Sequence, residues 1–231
     1  MNLENMHINI WGDSILKGVV LDEANGRYQV LENNCVDRFA KLTGSIINNH
    51  ASFGMTTGKA LDRIKKSMIR KAPDRDDIVL IEFGGNDCDF RWDEVSANPE
   101  GRHSPKTPIG QFGEALQAII DLFKSIDVKP VLMALPPLEP ARFLDWVSRG
   151  LNRANILAWL GDVNRIYRWQ EAYSDIVVQT ANANGLRVID VRKDFLVSDG
   201  YAAKFCADGM HPNEAGQAVI LESILSYVRS A

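Results

Sequence analysis

Apolar and polar positions along this chain alternate between two kinds of segment. Five short runs are predicted as strands, and two of them are almost continuously apolar, which is typical of a parallel sheet buried on both faces. These runs cover residues 7–13, 45–50, 77–83, 130–135 and 187–191. Between them, segments of helical period cover residues 32–42, 57–71, 109–125, 163–184 and 213–230. The alternation predicts a three-layer α/β/α fold, doubly wound around a mainly parallel five-stranded sheet.

Two stretches interrupt this alternation, at residues 88–108 and 136–162. The first is polar, contains three prolines and is longer than an ordinary connection. The second starts with two prolines and predicts a short helix around Phe143 and Trp146. Each follows the end of a predicted strand, which is the edge where open α/β sheets build their sites. We therefore expect residues 1–231 to form one domain that carries two cap or lid insertions.

Two fragments at opposite ends of the chain carry side chains that could act together in catalysis. Ser14 directly follows the first predicted strand, and Asp208 precedes His211 by three residues near the other end. A serine hydroxyl is a weak nucleophile until a base takes its proton, and that base must be oriented by a third group. Ser14, His211 and Asp208 supply these three roles.

Two further fragments offer hydrogen-bond donors for the oxyanion that forms when an ester carbonyl is attacked. Gly54 follows the second predicted strand and Asn86 follows the third. In a strand order such as 2-1-3-4-5, both would lie beside the end of the first strand. The backbone N–H groups of Ser14 and Gly54 and the side-chain amide of Asn86 would then form a three-donor oxyanion hole. We expect the absence of a Cβ at Gly54 to let its backbone approach the oxyanion closely.

At these four places the chain resembles the SGNH, or GDSL, family of serine ester hydrolases. Residues 12–15 (GDSI) match its GDS(L) block, Gly54 its oxyanion glycine, residues 84–87 (GGND) its GxND block and residues 208–212 (DGMHP) its DxxHP block. Four blocks in the right order form a specific signal. The resemblance implies a flavodoxin-like SGNH-hydrolase fold, an acyl-enzyme mechanism and the following roles: catalytic Ser14, Asp208 and His211, and oxyanion donors Ser14, Gly54 and Asn86.

The sequence defines the reaction more closely than it defines the substrate. The family resemblance favours a short acyl group, such as acetyl on a carbohydrate, and Phe90, Trp92 and Trp146 in the insertions are candidates for the pocket wall. One alternative is a lysophospholipase or acyl-thioesterase, which would need an apolar trough. Another is an inactive carbohydrate-binding or scaffold protein, which would have no need of a complete triad together with oxyanion donors.

Composition and charge narrow the range of partners. The 26 Lys and Arg residues against 30 Asp and Glu residues give a net charge of -4, which argues against general nucleic-acid binding because that needs a clustered basic surface. The six basic residues within residues 59–71 are predicted to form the solvent face of one amphipathic helix. No apolar run approaches the ~20 residues of a membrane span, and no spacing typical of a metal site occurs. With no signal peptide visible, we expect a cytoplasmic enzyme that uses no metal or cofactor and acts on a small-molecule ester. The oligomeric state stays open, a homo-oligomer included.

Overall fold

The computed structural model describes residues 4–230, which are organised around a five-stranded parallel sheet. The strands within them are β1 (His7–Gly12), β2 (Val19–Asp22), β3 (Arg27–Val30), β4 (Ile46–Asn49), β5 (Ile78–Glu82), β6 (Val131–Met133) and β7 (Val188–Ile189). The main sheet has the order β4-β1-β5-β6-β7, and each neighbouring pair is parallel. Each of these five strands lies within a run predicted from the sequence, which confirms the parallel sheet and the order 2-1-3-4-5.

Helices cover both faces of this sheet. They are α1 (Cys35–Thr43), α2 (Thr57–Arg70), α3 (Trp92–Ala97), α4 (Ile109–Lys124), α5 (Pro140–Val147), α6 (Arg153–Leu160), α7 (Asn164–Ala183), α8 (Val191–Leu196) and α9 (Glu214–Arg229), with a 3-10 helix at Tyr201–Lys204. Helices α2, α4 and α7 share one apolar cluster with the sheet, and α1, α8 and α9 share another. Strand β5 contributes Val79 and Ile81 to the first cluster and Leu80 to the second, because successive side chains of a strand point to opposite faces. The predicted three-layer fold is confirmed.

Polar side chains fix the starts of two helices beside the site. Asn213 accepts hydrogen bonds from two otherwise free N–H groups in the first turn of α9. Glu139 does the same for α5, where Pro140 occupies the first helical position and needs no hydrogen bond for its nitrogen. Each cap therefore fixes the direction in which the preceding loop enters its helix.

Two parts of the fold are not anticipated by the sequence pattern. Strands β2 and β3 form an antiparallel hairpin outside the main sheet. In the two insertions, α3 and α6 contact each other and join α5 and the start of α7 in a separate apolar cluster, called the cap below. Of the three short helices in the insertions, the sequence predicts only α5. The hairpin and the cap both contribute walls to the cavity in front of Ser14.

Candidate active site

Ser14 lies in a tight turn directly after strand β1. Its carbonyl oxygen accepts a hydrogen bond from the N–H of Val19 at 2.9 Å. A Cβ at Gly12 would lie 3.3 Å from the carbonyl oxygen of Glu82 on the neighbouring strand, so a larger residue there would crowd the turn. Ser14 is only 6% exposed, and its Oγ lies 2.9 Å from Nε2 of His211. The hydroxyl is therefore held against a base rather than left in solvent.

The loop between the 3-10 helix and α9 holds that base in one orientation. Oδ2 of Asp208 lies 2.7 Å from Nδ1 of His211, and Oδ1 accepts the N–H groups of Met210 and His211, both at 3.0 Å. Burial alone would raise the pKa of Asp208, but the ring hydrogen bond, the charge of His211 and the two N–H groups outweigh it and lower the pKa. The ionised carboxylate accepts the Nδ1 proton, so Nε2 presents its lone pair to the Ser14 hydroxyl.

Gly209 allows the same loop to lie directly against the cap. Its φ is +70°, and a Cβ there would lie 2.5 Å from both the carbonyl oxygen of Glu139 and the nitrogen of Phe143. The N–H of Glu139 donates to the carbonyl oxygen of Gly209 at 2.7 Å. Only glycine fits both the left-handed conformation and this contact.

Three candidate oxyanion donors come from residues that line the same cavity, namely Ser14, Gly54 and Asn86. Gly54 has a φ of +70°, and no atom of the described residues beyond its chain neighbours lies within 4 Å of a Cβ built on it. The left-handed conformation, rather than the close approach expected from the sequence, is thus what favours glycine here. Nδ2 of Asn86 donates to Oδ2 of Asp13 at 3.0 Å, which leaves its second hydrogen for an oxyanion.

Two buried carboxyl groups, those of Asp13 and Glu82, line the same cavity as Ser14. The N–H of Asp13 is 3.4 Å from Oε2 of Glu82, and Oδ1 of Asp13 accepts the N–H of Ile15 at 2.9 Å. Burial raises the pKa of Asp13 to about 6, although its hydrogen bonds and the charge of His211 oppose this rise. Burial, and then the negative charge of Asp13, raises the pKa of Glu82 well above its ordinary value. Burial thus makes Glu82 harder to ionise than an exposed glutamate, and Asp13 is the member of the pair that orients Asn86.

One aromatic ring from the hairpin and one from the loop after β4 lie beside His211. The ring centroids of Tyr28 and Phe53 lie 4.9 Å and 6.0 Å from that of His211, and the Phe53 ring is stacked within 11° of parallel. Burial, and then the negative charge of Asp208, raises the pKa of Tyr28, so its hydroxyl stays protonated. The sequence reasoning assigns no role to Tyr28, Phe53 or Glu82.

Beyond Ser14 and Asn86 the cavity extends into the cap. The whole cavity has a volume of about 380 Å³. Its inner part, called the cap chamber, is walled by apolar side chains: Phe90, Trp92, Phe143, Trp159, Leu160, Ile166 and Trp169. Phe90 and Trp92, two of the three predicted pocket residues, lie in this wall. Trp146, the third, lies outside it, with its ring 5.9 Å from that of Tyr28 and under the guanidinium of Arg149.

Other reactive side chains near the site have structural contacts. His50 stacks on Trp11 at 4.2 Å, and burial followed by the charge of Arg63 lowers its pKa. Sγ of Cys206 accepts the N–H of Leu21 at 3.4 Å, and burial raises the pKa of this thiol to about 11. Within residues 4–230, no three His, Cys, Asp or Glu side chains are grouped so as to hold a metal ion, and no helix is long and apolar enough to cross a membrane.

Sequence comparison relates the chain to known proteins. A model of the GDSL-like lipase/acylhydrolase family matches residues 10–219. A GDSL esterase/lipase from Oryza sativa subsp. japonica is 25% identical over 197 residues, which are 84% of this chain and 69% of the relative. A GDSL esterase/lipase from Arabidopsis thaliana is 23% identical over 181 residues, which are 78% of this chain and 64% of that relative.

Solved structures show a similar fold. The lipase/acylhydrolase from Enterococcus faecalis has a TM-score of 0.68 at 22% identity, and the match covers 97% of this chain and 96% of that one. An acetylxylan esterase from Geobacillus stearothermophilus also has a TM-score of 0.68, at 19% identity, with 99% and 96% covered. Both matches therefore cover almost the whole chain.

Proposed function

Because this chain belongs to the GDSL-like lipase/acylhydrolase family and is a carboxylic ester hydrolase, we propose that it cleaves its substrate through an acyl-enzyme on Ser14. The observation that carries this proposal is the continuous relay from hydroxyl to imidazole to carboxylate. Ser14 Oγ lies 2.9 Å from Nε2 of His211, and Nδ1 of His211 lies 2.7 Å from Oδ2 of Asp208. Both distances are those of hydrogen bonds already formed in the free protein.

In the first half of the reaction, His211 takes the hydroxyl proton at Nε2 while Ser14 Oγ forms a bond to the ester carbonyl carbon. The negative charge that develops on the carbonyl oxygen is met by the N–H groups of Ser14 and Gly54 and by the amide of Asn86. The intermediate then collapses. The bond from carbon to the alcohol oxygen breaks, and the proton on Nε2 passes to that oxygen.

In the second half, a water molecule takes the place of the alcohol. His211 accepts a proton from the water as its oxygen bonds to the acyl carbon, and the same oxyanion donors stabilise the second intermediate. The bond to Ser14 Oγ then breaks, and the proton on Nε2 returns to that oxygen. The products are a carboxylic acid and the free enzyme.

Two classes of ester fit this chemistry. A short acyl group, such as acetyl on a carbohydrate, is supported by the acetylxylan esterase among the proteins of similar fold. A longer acyl group, of the kind that a lysophospholipase or an acyl-thioesterase releases, is supported by the apolar wall of the cap chamber. The relay and the oxyanion donors serve both classes equally.

The covalent step can be tested by replacing the nucleophile. Ser14→Ala should lower kcat for p-nitrophenyl esters by roughly four or more orders of magnitude, because the triad residues act as a unit. Ser67→Ala is the matched control, since Ser67 lies on α2 and lines neither the cavity nor the adjacent groove. A fluorophosphonate should label the wild type and the control at Ser14, as read by peptide mass spectrometry.

The double variant Ser14→Ala, His211→Ala gives a second reading of the same mechanism. Its loss of kcat should be about that of either single variant, because one missing member already removes the covalent route. Additive losses would contradict a shared relay, and a Ser14→Ala variant with wild-type kcat would exclude the acyl-enzyme on this residue.

A further inference from the structure

We propose that the cap chamber binds the acyl part of the substrate as a medium-length hydrocarbon chain, of the order of an octanoyl group. The proposal rests on the acyl-enzyme function given above and specifies its substrate class. It would make the natural substrate a medium-chain ester rather than an acetyl ester. Its evidence is the size of the cavity, the chemistry of the chamber wall and the direction in which the alcohol must leave.

The cavity is much larger than an acetyl group requires. Its volume of about 380 Å³ lies within the range of about 300–1,000 Å³ that is typical of sites enclosing drug-sized ligands. An acetyl group consists only of the carbonyl, which the oxyanion donors hold, and one methyl group. It would leave most of the chamber between Phe90, Trp159 and Ile166 unfilled.

The inner wall of the chamber is suited to hydrocarbon rather than to a sugar. The indole N–H groups of Trp92 and Trp169 already donate to Asp89 and to the carbonyl oxygen of Cys88, at 2.8 Å and 3.0 Å. The Gln170 amide donates to a main-chain carbonyl oxygen at 2.7 Å. Sugar hydroxyls packed against these three side chains would lose hydrogen bonds to water without replacing them. Each methylene moved there from water, in contrast, favours binding by about fourfold.

Charged side chains lie at the outer rim of the chamber and have partners there. Lys106 forms an ion pair with Asp89 at 2.7 Å. Arg165 donates to the carbonyl oxygens of Trp159 and Leu160 at 3.2 Å and 3.3 Å. Because these side chains are exposed and can stay hydrated, they do not place an uncompensated charge beside a bound chain.

The orientation of the ester follows from the proton that the alcohol must receive. That proton comes from Nε2 of His211, so the alcohol oxygen must lie beside this ring, which Tyr28 and Phe53 flank. These two rings also border the adjoining groove, which Lys17 and Arg63 line. The groove, with its two cationic side chains, therefore suits the alcohol, and the acyl chain, on the opposite side of the carbonyl carbon, is directed into the cap chamber.

A series of p-nitrophenyl esters tests the proposal, because the leaving group stays constant. We expect kcat/KM for octanoate to exceed that for acetate by at least tenfold and to fall again for palmitate, which exceeds the chamber. A kcat/KM that is highest for acetate or butyrate would overturn the proposal. A rise that continues to palmitate would overturn the medium-length limit.

Variants of the wall should change the preference in opposite directions. Leu160→Phe narrows the chamber and should reduce the octanoate-to-acetate ratio at least fivefold, whereas Trp159→Ala widens it and should raise the palmitate-to-octanoate ratio. Trp146→Ala is the matched control, because it removes a tryptophan of the same insertion that lies outside the chamber. Its ratios should equal those of the wild type, and a shift equal to that of Trp159→Ala would count against the proposal.

A binding measurement on the wild type does not depend on whether these variants fold. Alkylboronic acids add reversibly to a serine hydroxyl, so octylboronic acid should inhibit at least tenfold more strongly than methylboronic acid. Equal inhibition constants would overturn the acyl assignment while leaving the acyl-enzyme intact. Failure of the acyl-enzyme itself would appear separately, as activity retained in Ser14→Ala.

Discussion

Replacing Asp13 with asparagine should make the stability of the fold less dependent on pH. Burial holds the pKa of Asp13 at about 6, against 3.8 for an unperturbed aspartate. A carboxyl group whose pKa is raised by folding stabilises the fold below its unfolded pKa, and this contribution is lost as pH rises through the folded pKa. At 1.36 kcal/mol per pKa unit, the wild type should lose about 3 kcal/mol of unfolding free energy through this group between roughly pH 4 and 7. Because Asp13 is 1% exposed, solvent does not screen the effect.

Urea unfolding at roughly pH 4 and pH 8 measures this loss. The free energy of unfolding of Asp13→Asn minus that of the wild type should increase by about 3 kcal/mol between the two pH values, whatever its offset at pH 4. Asp22→Asn is the control, because a hydrogen bond from Asn25 lowers the pKa of this exposed carboxyl, so that it titrates below this pH range and the difference should stay nearly constant. Parallel curves for Asp13→Asn and the wild type would refute the raised pKa.

Two further substitutions test the site and its loop. Asn86→Ala should lower kcat by roughly 10²–10³ with little change in KM, because the amide stabilises charge that exists only in the transition state; a large rise in KM at constant kcat would instead make Asn86 a ground-state contact. Gly209→Ala should reduce the free energy of unfolding by at least about 2 kcal/mol, from the left-handed backbone and the contact with α5 together. Gly54→Ala, with the same φ but open space, should lose only about 1 kcal/mol in the same urea titration, and equal losses would contradict the role of the contact.

The sheet could be predicted from the sequence because its physical cause is local. A strand buried on both faces must be apolar at successive positions, as in the run from Val79 to Ile81, and this shows in the sequence without knowledge of its neighbours. Short fragments also indicate the residues of the relay, since Asp208 and His211 lie on one loop. Their meeting with Ser14, 197 residues from His211 along the chain, follows from the order of the strands.

Other features depend on contacts that no short fragment encodes. The packing of Tyr28 on His211 is one of them, because Tyr28 belongs to the hairpin and His211 to a loop near the other end of the chain. Glu82 follows the apolar residues of β5. Because an acidic residue at the end of a strand is equally consistent with a strand that reaches solvent, the sequence does not predict that Glu82 is buried. Trp146 and Trp92 are equivalent candidates in the sequence. In the structure α3 places Trp92 in the chamber wall, whereas α5 places Trp146 against the hairpin.

The main-chain contact between Gly209 and Glu139 has a consequence for how the cap can move or be exchanged. The first turn of α5 is hydrogen-bonded to the histidine loop, and Arg142 in the same turn donates to the carbonyl oxygens of Ala202 and Phe205 at 2.9 Å and 3.1 Å. A swinging motion of α5 would break these bonds and displace His211. Grafting a foreign segment for new specificity should therefore replace α3 and α6 and retain the first turn of α5, because this turn moves together with the loop that carries His211.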